Sequence, residues 1–136
     1  MFLIRACLTA ITFWLTSVGA ITAQDQISPS SFLDRALGKT LSFTDLSTGA
    51  LVGVEQFLRR DLSVWAETNG RCSYGRIEER GPLICFIYEQ FPNPDNCWMP
   101  FDKGGQLMVM STLSYQIQQI SKISERPVQC EDAPLS

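Results

Sequence analysis

From about residue 40 onward, apolar and polar residues alternate with a period of two. This alternation predicts strands with one buried face. It runs through seven segments: Thr40–Thr44, Leu51–Leu58, Leu62–Glu67, Cys72–Glu78, Leu83–Glu89, Asn96–Phe101 and Leu107–Thr112. Turn-forming residues separate these segments. The pattern predicts a mainly β fold, an antiparallel meander that forms a small closed or partly open β-barrel of seven to eight strands.

A short helix is predicted in the N-terminal segment, residues 24–39. Ser30 or Ser31 can act as its N-cap, because a side-chain oxygen there accepts a hydrogen bond from a free backbone amide. Three apolar residues at helical spacing and a glycine stop follow: Phe32, Ala36, Leu37 and Gly38.

The other end of the chain is less regular. Leu113–Ile123 fits a helix or a strand, and its serine, tyrosine, isoleucine and glutamine content favours a strand. The β domain is therefore predicted to span residues 40–124. Residues 125–136 are predicted to form an extended tail that Cys130 tethers.

The Asn69-Gly70 pair predicts a hairpin, since both residues tolerate the positive φ of a tight turn. A two-residue turn places three residues of the first strand on the inner face, Leu62, Val64 and Ala66, opposite Ile77, Gly75 and Ser73. It places Trp65 and Tyr74 opposite each other on the outer face. A second turn at Arg80-Gly81 adds Ile84, Phe86 and Tyr88 to the inner face, opposite Ile77, Gly75 and Ser73.

Residues 1–23 are predicted to be an export signal peptide. Arg5 is the only charged residue before Asp25, an apolar run follows it, and Ala20 and Ala23 supply the small residues that a signal peptidase needs. An uncleaved membrane anchor is the alternative. Both interpretations place the remaining chain outside the cytoplasm, in a periplasmic or secreted location.

Four cysteines follow the predicted signal: Cys72, Cys85, Cys97 and Cys130. An even number in a short exported chain predicts two disulfides, whereas a zinc site would need closely paired ligands, and the chain has no histidine. The predicted register puts Cys85 opposite Arg76, about 13 Å from Cys72. A Cys72–Cys85 bond is therefore excluded, and the other two pairings remain open.

Charge and motifs argue against several function classes. The chain has 11 basic and 14 acidic residues and no basic run, so nucleic acid and anionic membranes are not expected partners. Glu78 and Glu79 are neighbours on a strand and point to opposite faces, so they cannot act on one substrate atom. Asp45–Glu55 fits a hairpin turn better than a calcium loop. No catalytic residue, metal or cofactor is predicted.

Four aromatic residues are the candidate binding residues: Trp65, Tyr74, Phe91 and Trp98. Indole and phenol rings offer flat apolar area with a polar edge, which suits sugars, peptides or partner proteins. The alternative is that they cover the disulfides or pack beneath the tail. Residues 91–96, Phe-Pro-Asn-Pro-Asp-Asn, form a stiff loop that is the best candidate for a protruding contact.

Several of these residues also carry a resemblance. GVEQFLRRDLSVW at 53–65, Cys72, Gly75, ICFIYE at 84–89 and Cys97-Trp98 resemble a group of small exported, mostly alphaproteobacterial, cysteine-rich β proteins that have no assigned function. The resemblance covers about residues 53–101, with Cys130 as a late member. It implies a periplasmic or secreted bacterial protein and assigns no functional residue.

The sequence therefore favours an exported, non-enzymatic binding protein of the bacterial envelope. The expected partner is a protein or an envelope component, with no membrane insertion after signal cleavage, and the oligomeric state stays open. One alternative is a carrier with a small molecule inside the barrel, where Ala66, Ser73 and Gly75 leave space unless Phe86 and Tyr88 fill it. Others are an inhibitor that inserts loop 91–96 into a cell-wall hydrolase and, less favoured, a carboxylate-based hydrolase.

Overall fold

The computed structural model describes residues 25–131. The predicted export signal, residues 1–23, and the end of the predicted tail, residues 132–136, lie outside the described residues. The described part contains the following elements: β1 (Asp25–Gln26), α1 (Pro29–Ala36), β2 (Thr40–Asp45), β3 (Leu51–Arg59), β4 (Leu62–Glu67), β5 (Cys72–Arg80), β6 (Leu83–Tyr88), β7 (Cys97–Lys103), β8 (Gln106–Ser111) and β9 (Ile117–Ser124). Between residues 25 and 131, no helix is long and apolar enough to cross a membrane.

Strands β2 to β9 form a closed antiparallel barrel. Each strand pairs with the next one along the chain, and β9 returns to pair with β2. The short β1 adds to the second half of β7, where Asp25 pairs with Asp102 and Gln26 with Phe101. Closure leaves no long unpaired edge and gives all inward side chains one shared interior. The predicted meander barrel is confirmed in its closed, eight-stranded form.

The ambiguous segment at residues 113–123 contributes the closing strand. Its first residues form a turn, in which Tyr115 has a φ of 58°, and a strand begins at Ile117. Phe43 and Ile120 pair near the middle of the β2–β9 ladder, and both are buried. The favoured strand interpretation is therefore correct from Ile117 onward.

The Asn69-Gly70 hairpin forms, but its turn has three residues, Thr68 to Gly70, instead of two. The Glu67 amide bonds to the Arg71 carbonyl at 2.9 Å, and Gly70 has a φ of 87°. Three-residue loops of this kind end in a residue with positive φ, which glycine adopts without strain. Trp65 therefore pairs with Ser73 instead of facing Tyr74.

This one-residue difference in register reverses the faces of β4, because side chains alternate along a strand. The predicted inner residues Leu62, Val64 and Ala66 point outward, and Trp65 points into the barrel, so the sequence-based assignment of β4 was wrong. The predicted β5–β6 pairing was off by two residues, since the turn lies at Gly81-Pro82 and pairs Ile77 with Phe86. A shift of two preserves the faces, so Ile84, Phe86 and Tyr88 point inward as predicted.

Helix α1 closes one end of the barrel. Ser28 is its N-cap and accepts a hydrogen bond from the Ser31 amide at 3.1 Å, so the predicted caps were two or three residues late. Phe32, Leu33 and Ala36 are buried, whereas Leu37, which was predicted to face the core, is exposed. The Phe32 ring meets that of Phe57 edge-on, with centroids 5.9 Å apart. The helix thereby fills the barrel end formed by the second half of β3.

The disulfides join Cys72 to Cys130 and Cys85 to Cys97. The predicted exclusion of Cys72–Cys85 is thus confirmed. Cys85 and Cys97 are direct neighbours on β6 and β7, with Cα atoms 4.0 Å apart. Cys130 tethers the tail to the start of β5.

The tail follows the outside of the barrel across β2, β3 and the β4–β5 turn. The Thr40 hydroxyl donates to the Arg126 carbonyl at 2.7 Å, and the Val128 amide donates to the Gln56 side chain at 3.1 Å. The Glu131 amide donates to the Gly70 carbonyl at 3.0 Å. Outward-facing Ala66 lines the same groove as the tail and is only 7% exposed.

Replacing Cys72 and Cys130 together with alanine is expected to lower the free energy of unfolding by about 4 kcal/mol, because a loop spanning 58 residues is no longer closed in the unfolded chain. Urea unfolding measures this loss. Hydrogen exchange should also show faster exchange at the Val128 and Glu131 amides, while the Phe86 amide in the barrel remains protected. Unchanged stability together with an unchanged, protected tail would contradict the role of this bond.

Candidate functional site

A cavity of about 190 Å³ lies inside the barrel, beyond the helix-filled end. Its wall is mostly aromatic, with rings from α1 and five strands or loops: Phe32, Phe43, Trp65, Phe86, Tyr88, Phe91 and Trp98. The remaining lining residues are Val52, Glu55, Asn96, Val109 and Gln118. A partly open cleft with flat apolar walls and a few polar groups is typical of small-molecule sites.

Five of the seven rings form a continuous belt along the wall. Trp65 lies 5.9 Å from Phe43 and 6.4 Å from Tyr88, measured between ring centroids. Tyr88 stacks nearly parallel to Phe86 at 6.2 Å and meets Phe91 at 5.0 Å. These separations lie in the range of favourable aromatic pairs. The rings therefore support one another and do not need a ligand to hold their places.

Two glycines leave room for two of the large rings, Trp65 and Tyr88, to lie against the wall. A Cβ added at Gly53 would lie 2.2 Å from Trp65 Cζ2, and one added at Gly75 would lie 2.7 Å from Tyr88 Cε1. Neither contact is compatible with a side chain at the glycine. Because the rings occupy the space that those side chains would take, the centre of the barrel stays open. The predicted register placed Phe86 opposite Gly75, whereas Tyr88 occupies that position in the structure.

Glu55 is the acidic group of the cavity. It lies on β3 between Leu41 of β2 and Trp65 of β4, and it is only 2% exposed. The Ser63 hydroxyl donates to Oε1 at 2.6 Å, and the Tyr88 hydroxyl donates to the same oxygen at 2.8 Å. Oε2 accepts no hydrogen bond from residues 25–131. One oxygen is thus held by the barrel, and the other is available to a bound molecule.

Burial dominates the electrostatics of this group. It raises the pKa of Glu55 to about 7, against the opposing effect of the hydrogen bonds from Ser63 and Tyr88. Burial and the neighbouring carboxylate also raise the pKa of Tyr88 well above its ordinary value, so its hydroxyl keeps its proton and remains a donor. Within the described chain, Glu55 is the only acidic or basic residue that lines the cavity.

Of the four predicted binding residues, the cavity brings three together: Trp65, Phe91 and Trp98. Tyr74 lies outside the barrel and is 49% exposed. Sequence reasoning missed Glu55, although the sequence contained a signal for it. Gly53, Glu55 and Phe57 share one face of a predicted strand. A carboxylate on an apolar face is a candidate functional group, but its environment depends on the register of β4.

The loop after β6 forms one rim of the cavity. Ser73 and Gln90 hydrogen-bond at its start, and the Phe91 ring turns back onto Tyr88. At its other end, Asn96 Nδ2 donates to the Phe86 carbonyl at 3.0 Å, and Trp98 Nε1 donates to Asn96 Oδ1 at 2.9 Å. Residues 92–95 are exposed between these anchors. The loop predicted to protrude therefore also contributes to the cavity wall.

The other acidic residues make local surface contacts. The Asp45 carboxylate accepts hydrogen bonds from Ser47, Thr48 and Gln116, which hold its pKa well below the ordinary value, within a hairpin turn. Glu78 bonds to flanking arginines, while Glu79 lies near Arg60. In residues 25–131, no group of three potential metal-ligating side chains comes together.

Glu55 makes the stability of the fold depend on pH. Between about pH 4.5 and pH 7 the folded state binds this proton more tightly than the unfolded state, so rising pH destabilises the fold by about 3 kcal/mol over that window. Glu55→Gln removes this dependence and can still accept from Ser63 and Tyr88. In urea unfolding, the free energy of unfolding of the variant should therefore increase relative to that of the wild type as the pH rises. If the difference in free energy of unfolding between the variant and the wild type is constant from pH 5 to pH 8, the pKa of Glu55 is not raised.

Comparisons with known proteins add no information on function, so the functional proposal is based on the geometry of this site. No family model, no curated protein and no solved structure matches the chain. The features that bear on function are therefore the aromatic wall, the two ring-seating glycines and the half-satisfied carboxyl group of Glu55.

Proposed function

We propose that the protein binds a small, mostly apolar molecule inside its barrel and acts outside the cytoplasm as a non-enzymatic carrier or binding protein. The observation that carries the proposal is the cavity of about 190 Å³ between aromatic rings. Of the functions that the sequence left open, binding inside the barrel accounts for both the inward direction of Trp65 and the space beside it.

The size of the cavity sets the size of the ligand. An apolar protein cavity of about 150 Å³ stays dry and binds benzene, because water gains too few hydrogen bonds there. The present cavity is somewhat larger and is also lined by rings. It suits one aromatic ring or a short alkyl chain with a few further atoms. A bound molecule of that size would be in contact with the faces of Trp65, Tyr88 and Phe86.

Catalysis is not part of the proposal. Glu55 is the only acidic residue among those that line the cavity within residues 25–131, and no cysteine, lysine or histidine lines it there. Ser63, which bonds to Glu55, is fully buried and is not a lining residue. General acid–base chemistry usually requires a second group placed on the reacting atoms. The lining instead offers apolar area and one orienting polar group, which is the composition of a binding site.

The location outside the cytoplasm is supported by the disulfides. Both bonds join cysteines that follow the predicted export signal. Such bonds persist in oxidising compartments and are rare in the cytoplasm. The choice between periplasm and secretion, and membership in the exported family that the sequence resembles, belong to the proposal.

A second candidate is a protein partner that contacts the exposed part of loop 91–96. Arg80 donates to the Pro94 carbonyl at 2.6 Å, and the Cys85–Cys97 bond closes the loop at its base. A pre-organised loop loses little entropy on binding. This surface suits the inhibitor interpretation, and if Pro92 and Pro94 replacements leave partner binding intact, that interpretation is wrong.

Propylbenzene is expected to bind the purified protein with one site per chain. Trp65 and Trp98 both line the cavity and are the only tryptophans after residue 23, so a change in tryptophan fluorescence measures the binding of propylbenzene. Amide shifts in NMR spectra should cluster on β3, β4 and β6. If neither propylbenzene nor a polar ligand of the same size shows saturable binding up to its solubility limit, the proposed function is wrong.

A matched pair of variants locates the site. Val52 lines the cavity, whereas Val54, on the same strand, lines the outer groove beside the tail. Val52→Phe is expected to weaken propylbenzene binding by about tenfold or more, because the added ring occupies the ligand space. Val54→Phe should leave the affinity within about threefold of the wild type. Equal effects of the two substitutions would place the ligand elsewhere.

A further inference from the structure

We propose that the molecule bound in the cavity is a small organic cation, a protonated amine on an aromatic or short alkyl frame, whose ammonium group donates to Oε2 of Glu55. This inference rests on the proposed function and deepens it, because it names the chemical class of the ligand. Four features of the cavity carry it: the free carboxylate oxygen, the absence of a lining cation, the aromatic wall and the size of the space.

The free oxygen of Glu55 is the first feature. Ser63 and Tyr88 both donate to Oε1, and Oε2 receives no donor from residues 25–131. The side chain is nonetheless almost completely buried, with 2% of its surface exposed. Oε2 is not sealed off, since Thr44 Oγ1 is the only fully buried side-chain oxygen or nitrogen without a partner among residues 25–131. It is therefore accessible from the cavity that Glu55 lines, and a donor group on a ligand can reach it.

The charge of the cavity selects between cations and anions. The groups that face Glu55 are Leu41 on β2, Trp65 and Ser63 on β4, and Tyr88 on β6. Tyr88 is the only titratable group among them, and it stays neutral. No lysine or arginine among residues 25–131 lines the cavity. A bound anion would meet an unpaired carboxylate, whereas a bound cation would neutralise it.

The outward placement of the basic residues strengthens this selection. The arginines nearest in sequence to the lining strands pair with surface carboxylates: Arg59 with Asp61, Arg60 with Asp34, Arg71 with Glu67, and Arg76 and Arg80 with Glu78. None of them is positioned to neutralise Glu55. A positive partner for an ionised Glu55 would therefore have to come from the ligand.

The aromatic wall accommodates a cation as well as its frame. The faces of tryptophan and tyrosine rings attract an ammonium group, and this attraction increases where water is excluded. Trp65 pairs directly with Glu55 across β3 and β4, and Tyr88 bonds to the same carboxyl group. An ammonium group on Oε2 would thus lie near the Trp65 ring, whereas Tyr88 presents its hydroxyl group to the same carboxyl group. The apolar part of the ligand can contact Phe43, Phe86 and Val109, which also line the cavity.

Three ligands of nearly equal shape separate charge from size: propylbenzene, phenethyl alcohol and phenethylamine. Each consists of one ring and a three-atom chain, and only the last is a cation near neutral pH. At pH 8 the wild type is expected to bind phenethylamine at least about tenfold more tightly than propylbenzene, because only the amine neutralises Glu55. Titration followed by tryptophan fluorescence and by calorimetry measures the three affinities.

The Glu55→Gln variant tests the anchor. Glutamine keeps an acceptor for Ser63 and Tyr88 but carries no charge, so the preference for phenethylamine should disappear while propylbenzene still binds within about threefold of the wild type. Glu89→Gln is the matched control, since Glu89 is exposed directly after β6 and its replacement also removes one negative charge. The control should keep the full preference for the amine.

A pH series on the wild type is a second test that needs no variant. Binding of the ammonium form displaces the proton of Glu55, so the affinity for phenethylamine should rise by up to about tenfold per pH unit below pH 7 and level off above it. Propylbenzene carries no charge, and its affinity should stay nearly constant or fall slightly as Glu55 ionises.

The possible results separate the two proposals. Propylbenzene binding without any preference for the amine, or a preference that survives Glu55→Gln, overturns the cation proposal and leaves a neutral-ligand carrier. Tighter binding of the alcohol than of the amine at pH 8 overturns it as well. Failure of all three ligands to bind overturns the proposed function itself.

Discussion

The pairing of β9 with β2 is the contact on which the rest of this structure depends. It joins the last strand of the barrel to the first strand of the barrel and closes the meander into a continuous wall. In an open sheet the inward residues of β3, β4 and β6 would not meet across a common space. Closure brings Glu55, Trp65 and Tyr88 around one interior, so the cavity is a consequence of this long-range ladder.

A barrel of eight strands has an interior just wide enough for side chains to fill. The size of the remaining cavity therefore depends on where the bulky inward-facing side chains lie. Helix α1 fills one end with Phe32 and Leu33. Toward the other end, Gly53 and Gly75 let Trp65 and Tyr88 lie flat against the wall. The cavity thus remains open because Trp65 and Tyr88 are packed over glycines. This arrangement supports a binding role better than a purely structural one, for which a filled centre would be more stable.

The disulfides stabilise the segments that strand pairing leaves least constrained. Cys85–Cys97 closes the loop whose first residue, Phe91, forms part of the cavity rim, and Cys72–Cys130 fixes the tail over the outer groove. A chain of this size has a modest core, so covalent links of this kind contribute a substantial share of its stability. The buried carboxyl group of Glu55 instead lowers the stability of the fold near neutral pH. Buried groups with a perturbed pKa are frequently found at functional sites.

Local sequence determined most of the elements, the meander order and the exclusion of Cys72–Cys85, because alternation and turn residues act over a few neighbouring positions. Only the tertiary structure decided which way Trp65 points, since one additional turn residue before Gly70 reverses every side chain of β4. It also decided the environment of Glu55 and the pairing of Cys130, which depend on residues far away in the chain. Those outcomes follow from barrel closure and packing, and no local pattern of residues encodes them.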